Sequence, residues 1–291
     1  MMKLGMSSYC LLPALNAGEM NVLELPKWVK EHGGEHLELV PYGFTLVDQP
    51  ELADKLRECA RKEGIELSNY SMPANFVQDS EEAFIAEVDR IKLHVDLLDR
   101  MNIRHMRHDV TAFTIPQEKM TLRYFMDSLP QIIEGSRQIA DYAAQFGITT
   151  TIENHGFSVQ LSDRVQRVLF EVNRPNFKTT LDIGNFLCVD EDPLVGVMNN
   201  LPYASLIHVK DFYIRPFDED PGEGRWIRTT HGNFLRGSIF GQGEVETRRI
   251  LKYIKQSGYD GKLTLEFEGM EECREATRIS LNNVRRLWEE S

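Results

Sequence analysis

Several classes of protein are excluded by what this sequence has little of. Its 291 residues contain four cysteines, Cys10, Cys59, Cys188 and Cys273, widely spaced and with no Cys-x-x-Cys pair. That excludes a disulfide framework and a thiolate zinc site, and it fits a reducing compartment such as the cytoplasm. Basic residues are in the minority, 33 Lys and Arg against 45 Asp and Glu, for a formal charge of −12. General affinity for nucleic acid or an anionic membrane needs a basic face, so neither is expected as a partner. No stretch approaches the ~18 apolar residues of a membrane span. The start, MMKLGMSSYCLLPALNAG, sets a lysine before an apolar stretch. Ser7, Ser8, Tyr9 and Pro13 interrupt the core that a signal peptide needs, so a cytoplasmic location is expected.

Two further absences concern architecture. No Gly-x-Gly-x-x-Gly follows the first apolar run, which argues against an open dinucleotide-binding sheet. No low-complexity linker or break in composition divides the chain, so residues 1–291 are expected to form a single domain.

What is present is an alternation of short apolar runs and long amphipathic stretches. The runs predict strands at Lys3–Ser7, His36–Pro41, Ile65–Ser71, Ile103–Val110, Ile148–Glu153, Lys178–Ile183, Ala204–Asp211 and Lys262–Glu268. Helical periodicity covers Leu52–Glu63, Ile85–Leu98, Leu122–Phe146, Arg164–Val172, Pro193–Asn199, Thr247–Ser257 and Glu271–Glu289. Gly64, Gly147 and Gly258 each stand between a helical stretch and the next strand, a helix-ending signal. Eight strands alternating with helices predict an α/β protein with a closed (β/α)8 TIM barrel. One connection is abnormally long. About 35 residues from Phe212 to Glu246 follow strand seven, rich in glycine and carrying Arg225, Trp226, Arg228, His231 and Arg236. A loop of that length is expected to be a lid or binding loop.

Four polar residues stand at the C-terminal ends of strands five to eight: Glu153 in ITTTIENHG, Asp182 in KTTLDIGN, His208 in SLIHVKD and Glu266 in LTLEFE. In a barrel these ends converge on the active face. Three carboxylates and an imidazole around one point repel without a cation. Oxygen-rich ligands with one nitrogen suit Mn2+ first, with Mg2+, Co2+ or Zn2+ compatible. Such a site can run proton transfer next to a ketose carbonyl: the metal stabilises an enediolate, one carboxylate removes a proton and a second returns it. Return to the same carbon gives epimerisation, return to its neighbour gives aldose–ketose isomerisation, and loss of a β-hydroxyl gives dehydration.

The motifs IEN, LDIGN, HVKD, GQGEV and LEFEG, read in order between Ile152 and Gly269, resemble the xylose isomerase-like TIM-barrel superfamily of sugar and sugar-phosphate isomerases and epimerases. LDIGN followed by FGQGEV and QSGYDG is similar to its pentulose-phosphate 3-epimerase branch. The resemblance implies a metal held by Glu153, Asp182, His208 and Glu266, with Glu153 and Glu266 as the acid/base pair of a ketose 3-epimerase. It implies a sugar or sugar phosphate as substrate, and it is compatible with a homodimer or homotetramer. Many relatives have His where this chain has Asn185; Asn can bond a substrate hydroxyl but is not expected as a ligand.

Other residues are candidates for substrate binding. Glu38 ends strand two and suits either a substrate hydroxyl or a structural role. His108 ends strand four beside Arg107 and Asp109 and is read as a substrate contact. His155 shares a face with Glu153. Lys210 points to the side of His208 and suits either an enediolate oxygen or a buried ion pair with Asp182 or Glu266. Asp211 is read as orienting the loop. His231 and Arg236 are candidates for gripping a phosphate or distal hydroxyl, while Trp28, Phe113 and Phe157 are read as packing residues rather than pocket walls. The alternatives are an inosose- or dehydroshikimate-type dehydratase, a non-catalytic sugar-binding protein, and an abasic-site endonuclease. The last needs three zinc ions and more strand-end histidines, where this chain has Met72-Pro73 and Asn185, and its phosphate backbone substrate demands positive charge.

Overall fold

The computed structural model describes residues 2–113, 116, 119 and 121–291. Strand β1 is Lys3–Ser7, followed by two short helices, α1 (Leu12–Asn16) and α2 (Leu25–Glu31). Then come β2 (His36–Leu39), α3 (Pro50–Glu63), β3 (Glu66–Met72), α4 (Glu81–Met101) and β4 (His105–His108). Next are α5 (Leu122–Ala144), β5 (Thr149–Glu153), α6 (Ser162–Val172), β6 (Phe177–Asp182), α7 (Pro193–Asn200) and β7 (Ala204–Val209). Three extra strands follow, β8 (Phe212–Arg215), β9 (Ile227–Arg228) and β10 (Phe234–Gly237). The chain ends with α8 (Thr247–Gln256), β11 (Lys262–Leu265) and α9 (Cys273–Glu289).

Eight parallel strands close in the order β1-β11-β7-β6-β5-β4-β3-β2, the expected (β/α)8 barrel. Every expected strand is present, but several are shorter. Strand β11 stops at Leu265 and β7 at Val209, so Glu266 and Lys210 stand just past their strands. Between β1 and β2, where no helical stretch was expected, α1 and α2 carry Pro13 and Pro26 in their first turns, where a missing N–H does no harm. The long connection after β7 is not structureless: β8, β10 and β9 form a small antiparallel sheet in that order.

Local signals account for the element ends. Ser80, Thr121 and Asp192 cap α4, α5 and α7 by accepting from backbone N–H groups. Gly64, Gly147 and Gly258 have positive φ, as helix exits require.

The apolar core lies between barrel and helices, with Ile152, Leu181, Ile207 and Leu263 buried facing outward. The barrel interior is polar. Thr151 and Thr180 share a hydrogen bond of 2.8 Å, and His36 lies between Ser68 Oγ (2.9 Å) and the Leu263 carbonyl (3.2 Å). Strand alternation therefore carries polar inward positions up to the C-terminal mouth. No helix among the described residues is long and apolar enough to cross a membrane.

Candidate active site

The barrel register brings the strand-end residues together. Asp182 of β6 pairs with His208 of β7, and His208 pairs with Thr264 of β11, two residues before Glu266. Glu153 closes β5 beside Thr180. Glu153, Asp182, His208 and Glu266 each offer one donor atom, all within 4.8 Å of one another.

Each donor is held. Asp182 is pinned through its backbone by Asn154, which donates to the Asp182 carbonyl and accepts from its N–H, both at 2.9 Å. Asp182 Oδ1 accepts from the N–H groups of Gly184 (2.7 Å) and Asn185 (2.9 Å). His208 Nε2 lies 2.8 Å from Glu38 Oε2, and Nδ1 lies 3.2 Å from Glu153 Oε1. An Nε2–H donating to Glu38 leaves the Nδ1 lone pair aimed at the cluster, the usual way a carboxylate orients a ligating histidine. Arg107 Nη2 reaches Glu153 Oε2 at 2.7 Å and Asp109 Oδ1 at 2.8 Å. Lys210 Nζ reaches Glu266 (2.5 Å), Glu268 (3.4 Å) and Asp182 (3.5 Å).

The electrostatics fit a cation. Six carboxylates, Glu38, Asp109, Glu153, Asp182, Glu266 and Glu268, gather around two permanent cations, Arg107 and Lys210. Burial, reinforced by Glu153 and Glu266, pushes Asp182 up to about 6 against the pull of Lys210. Its Oδ2 is buried without a hydrogen-bond partner among the described residues. Burial also works against charge on Glu153, but Arg107 and His208 hold its carboxyl well below the usual range. Three oxygens and one nitrogen, with Asp182 Oδ2 met only by Lys210 at 3.5 Å, are a donor set for a hard or borderline divalent ion.

Two adjoining cavities lie at the barrel mouth, and the inner one opens on this cluster. The inner one, of about 120 Å³, is walled by Glu153, His208 and Glu266 with Arg107, Tyr42 and others. The outer one, of about 270 Å³, is walled by Asn185, Gln160, Phe157, Leu235 and neighbours. They share Tyr9, Phe113, His155, Lys210 and Glu268.

Among the expected substrate contacts, His155, Asn185 and Lys210 lie in these walls. His155 Nδ1 is 2.8 Å from Asp109 Oδ1, and its ring stacks on Phe113. Asn185 donates to Glu153 Oε1 at 3.2 Å. Lys210 forms the buried ion pairs that were one of its two readings. The other contacts are corrected. Glu38 has no exposed surface, and its Oε2 serves His208 and Asn69. His108 turns out of the barrel, buried against Phe76 and Phe177, because β4 presents Arg107 and Asp109 inward. His231 lies on the surface, bonded to Asp190. Arg236 borders the outer cavity, but its guanidinium stacks between Tyr213 (5.1 Å) and Trp226 (4.8 Å). Strand alternation puts it on the face of the small sheet opposite Leu235. Trp28 packs in the core as expected, whereas Phe113 and Phe157 do wall the cavities.

Sequence reasoning overlooked Arg107, Asp109, Tyr9 and Glu268 as site residues. The signal for two of them was alternation along IRHMRHDV: if His108 faces out, Arg107 and Asp109 face in. The long excursion is anchored by Asp211, whose carboxylate accepts from the N–H groups of Phe212, Gly241, Gly243 and Val245. That explains the GQGEV motif. A Cβ at Gly243 would lie 2.3 Å from Asp211 Oδ1, so only glycine fits there.

Comparison with known proteins identifies the fold family. Inosose dehydratase from Lacticaseibacillus casei is 25% identical over 149 residues, covering 49% of this chain and 48% of that protein. L-Ribulose-5-phosphate 3-epimerase from Shigella boydii serotype 18 is 25% identical over 146 residues, covering 50% and 43%. The chain thus spans about half the length of the curated relatives it matches. The crystal structure of a xylose isomerase-like TIM-barrel protein from Mycobacterium smegmatis in complex with magnesium superposes with a TM-score of 0.71. It is 18% identical and covers 99% of this chain and 98% of that one. The family model for the xylose isomerase-like TIM barrel matches residues 26–287, and the chain belongs to that family.

Proposed function

We propose that this protein is a divalent-metal-dependent epimerase or isomerase of a sugar or sugar phosphate, moving a proton between Glu153, Glu266 and a carbon next to a carbonyl. The observation that carries the reading is the placement of the two glutamates. Strands β6 and β7 lie between β5 and β11 in the barrel, so Glu153 and Glu266 reach the same four-residue cluster from two sides. A base on one side and an acid on the other is what inversion at carbon requires.

Glu153, Asp182, His208 and Glu266 would hold the ion, for which we propose Mn2+, with Mg2+, Co2+ or Zn2+ also suited to the donors. When bound, the ion supplies Lewis acidity that makes the proton beside the carbonyl removable. Glu153, kept ionised by Arg107, is suited to accept a proton. Glu266, facing the Lys210 ammonium at 2.5 Å, is suited to relay a proton from that ammonium to the carbon. Lys210 steadies negative charge that builds on a substrate oxygen. His155 and Asn185 orient hydroxyls.

Deuterium exchange tests the reading. Protein loaded with Mn2+ is mixed with ketoses and ketose phosphates in D2O, and NMR locates the label. Label at C3 with a new diastereomer is expected of a 3-epimerase; label at C1 or C2 with an aldose is expected of an isomerase. Glu266→Gln should nearly abolish the exchange with the fold intact. Metal-independent exchange, or near-normal exchange in that variant, refutes the reading.

The match to inosose dehydratase favours one second reading, dehydration of an inosose- or dehydroshikimate-like substrate. It shares the proton removal and then loses a β-hydroxyl. Growth of enone absorbance, with water released, identifies it in the same experiment.

A further inference from the structure

We propose that the outer cavity is a subsite for a second ring, so that the substrate is a keto sugar of glycoside size rather than a free monosaccharide. This rests on the reading above for which end of the substrate reacts.

The outer cavity holds about 270 Å³ against about 120 Å³ beside the donor cluster, and the two share a wall. The larger volume therefore lies away from the chemistry. Its sides are largely apolar: Phe113, Phe157, Cys188, Phe212, Ile227 and Leu235. Pockets of that kind recognise a flat or weakly polar body and use few polar groups to orient it. Two rings stand out. Phe113 is 54% exposed at the junction of the cavities, stacked 4.8 Å from His155. Phe157 lies 6.5 Å from Phe113 and has φ 60. A bulky side chain in the left-handed region is strained, and such strain persists where the surroundings enforce it, often at ligand contacts. Here Gln160 enforces it, its Oε1 accepting from the Phe157 N–H at 2.7 Å.

Three cations, Lys210, Arg225 and Arg236, and one carboxylate, Glu268, border the outer cavity and give its polar groups for orienting a ring. Lys210 is engaged by Glu266, Glu268 and Asp182. The Arg236 guanidinium lies 5.1 Å from the Tyr213 ring and 4.8 Å from the Trp226 ring, and its Nε is buried without a hydrogen-bond partner among the described residues. Arg225 points to the Gly269 carbonyl at 3.5 Å. Glu268 lies in the same wall and repels an anion.

The test compares three ligands that differ at one oxygen: fructose, fructose 6-phosphate and 6-O-glucosyl-fructose (isomaltulose). Each is titrated into the Mn2+-loaded protein by calorimetry. Isomaltulose should bind about tenfold more tightly than fructose, and more tightly than fructose 6-phosphate. Phe157→Gly removes the ring and relieves the positive φ. With melting temperature recorded alongside, it should erase most of the isomaltulose advantage. Phe113→Ala, at an exposed position, should do the same in part. Isomaltulose binding no tighter than fructose, tighter binding of the phosphate than of isomaltulose, or a full advantage in both variants overturns the proposal. Exchange in D2O separates the two readings. An isomaltulose advantage without C–H exchange on any sugar keeps the subsite and refutes the epimerase. Exchange on fructose without that advantage does the reverse.

Discussion

Arg107 of β4 holds Glu153 of the neighbouring strand, its Nη2 2.7 Å from Glu153 Oε2 and 2.8 Å from Asp109 Oδ1. The contact follows from register, since Arg107 pairs with Thr151, two residues before Glu153 on the same face. Arg107→Ala would leave two buried carboxylates without their counter-charge, at a cost of about 3–5 kcal/mol. Misplacement of Glu153 should slow proton exchange by about 100-fold or more. Urea denaturation and the exchange rate measure these separately. Near-normal exchange in the variant would show that Arg107 does not orient Glu153.

Glu38 should govern metal affinity rather than substrate affinity. Its Oε2 faces His208 Nε2 at 2.8 Å, and Asn69 donates to the same oxygen at 2.7 Å. Glu38→Gln weakens the acceptor that fixes the imidazole tautomer. The expected loss is about 10–100-fold in Mn2+ affinity, read by competition with a chelator. Wild-type affinity in the variant would remove Glu38 from this role.

Asp211 should hold the β8–β10 excursion against the barrel. Its two oxygens accept four backbone N–H groups. Asparagine keeps one acceptor oxygen and turns an amide N–H toward those donors. Asp211→Asn should cost about 2–3 kcal/mol, with faster proteolysis between residues 212 and 246 as the local sign. Unchanged cleavage would show that the excursion is held otherwise.

Two buried histidines set an acid limit on stability. Burial drives His36 and His108 down to about 4, against about 6.5 when unfolded. Both rings are neutral in the folded barrel, and the unfolded chain takes up protons below about pH 6.5. Their contribution is therefore complete above pH 6.5 and is lost as pH falls toward 4, by about 3 kcal/mol for each ring. Burial lowers His94 to about 4 as well, so His108→Phe, at a position away from the cavities, should flatten about a third of the slope due to these histidines. An unchanged slope would show that His108 already carries charge when folded.

The four residues of the carboxylate–histidine cluster were legible because each stands at the end of its own apolar run, as in ITTTIE and TTLD, and barrel convergence does the rest. The orienting partners were not. Glu38 and His208 are 170 residues apart, and neither run refers to the other. Asp211 was legible as a loop-orienting residue, but its grip on the GQGEV backbone required the folded return of the chain.

By itself the sequence determined the β/α alternation, hence the barrel, and the four polar strand ends, because both are written in local periodicity. It left open which face of β4 turns inward. Alternation is symmetric between His108 and Arg107, and only pairing with β3 and β5 breaks the tie. The tertiary structure also decided which cations are engaged. Arg236 and His231 read as free in the sequence, but folding brings Tyr213 and Trp226 to the one and Asp190 to the other. Counter-charges and stacking partners are set by proximity in space, which a one-dimensional pattern does not encode.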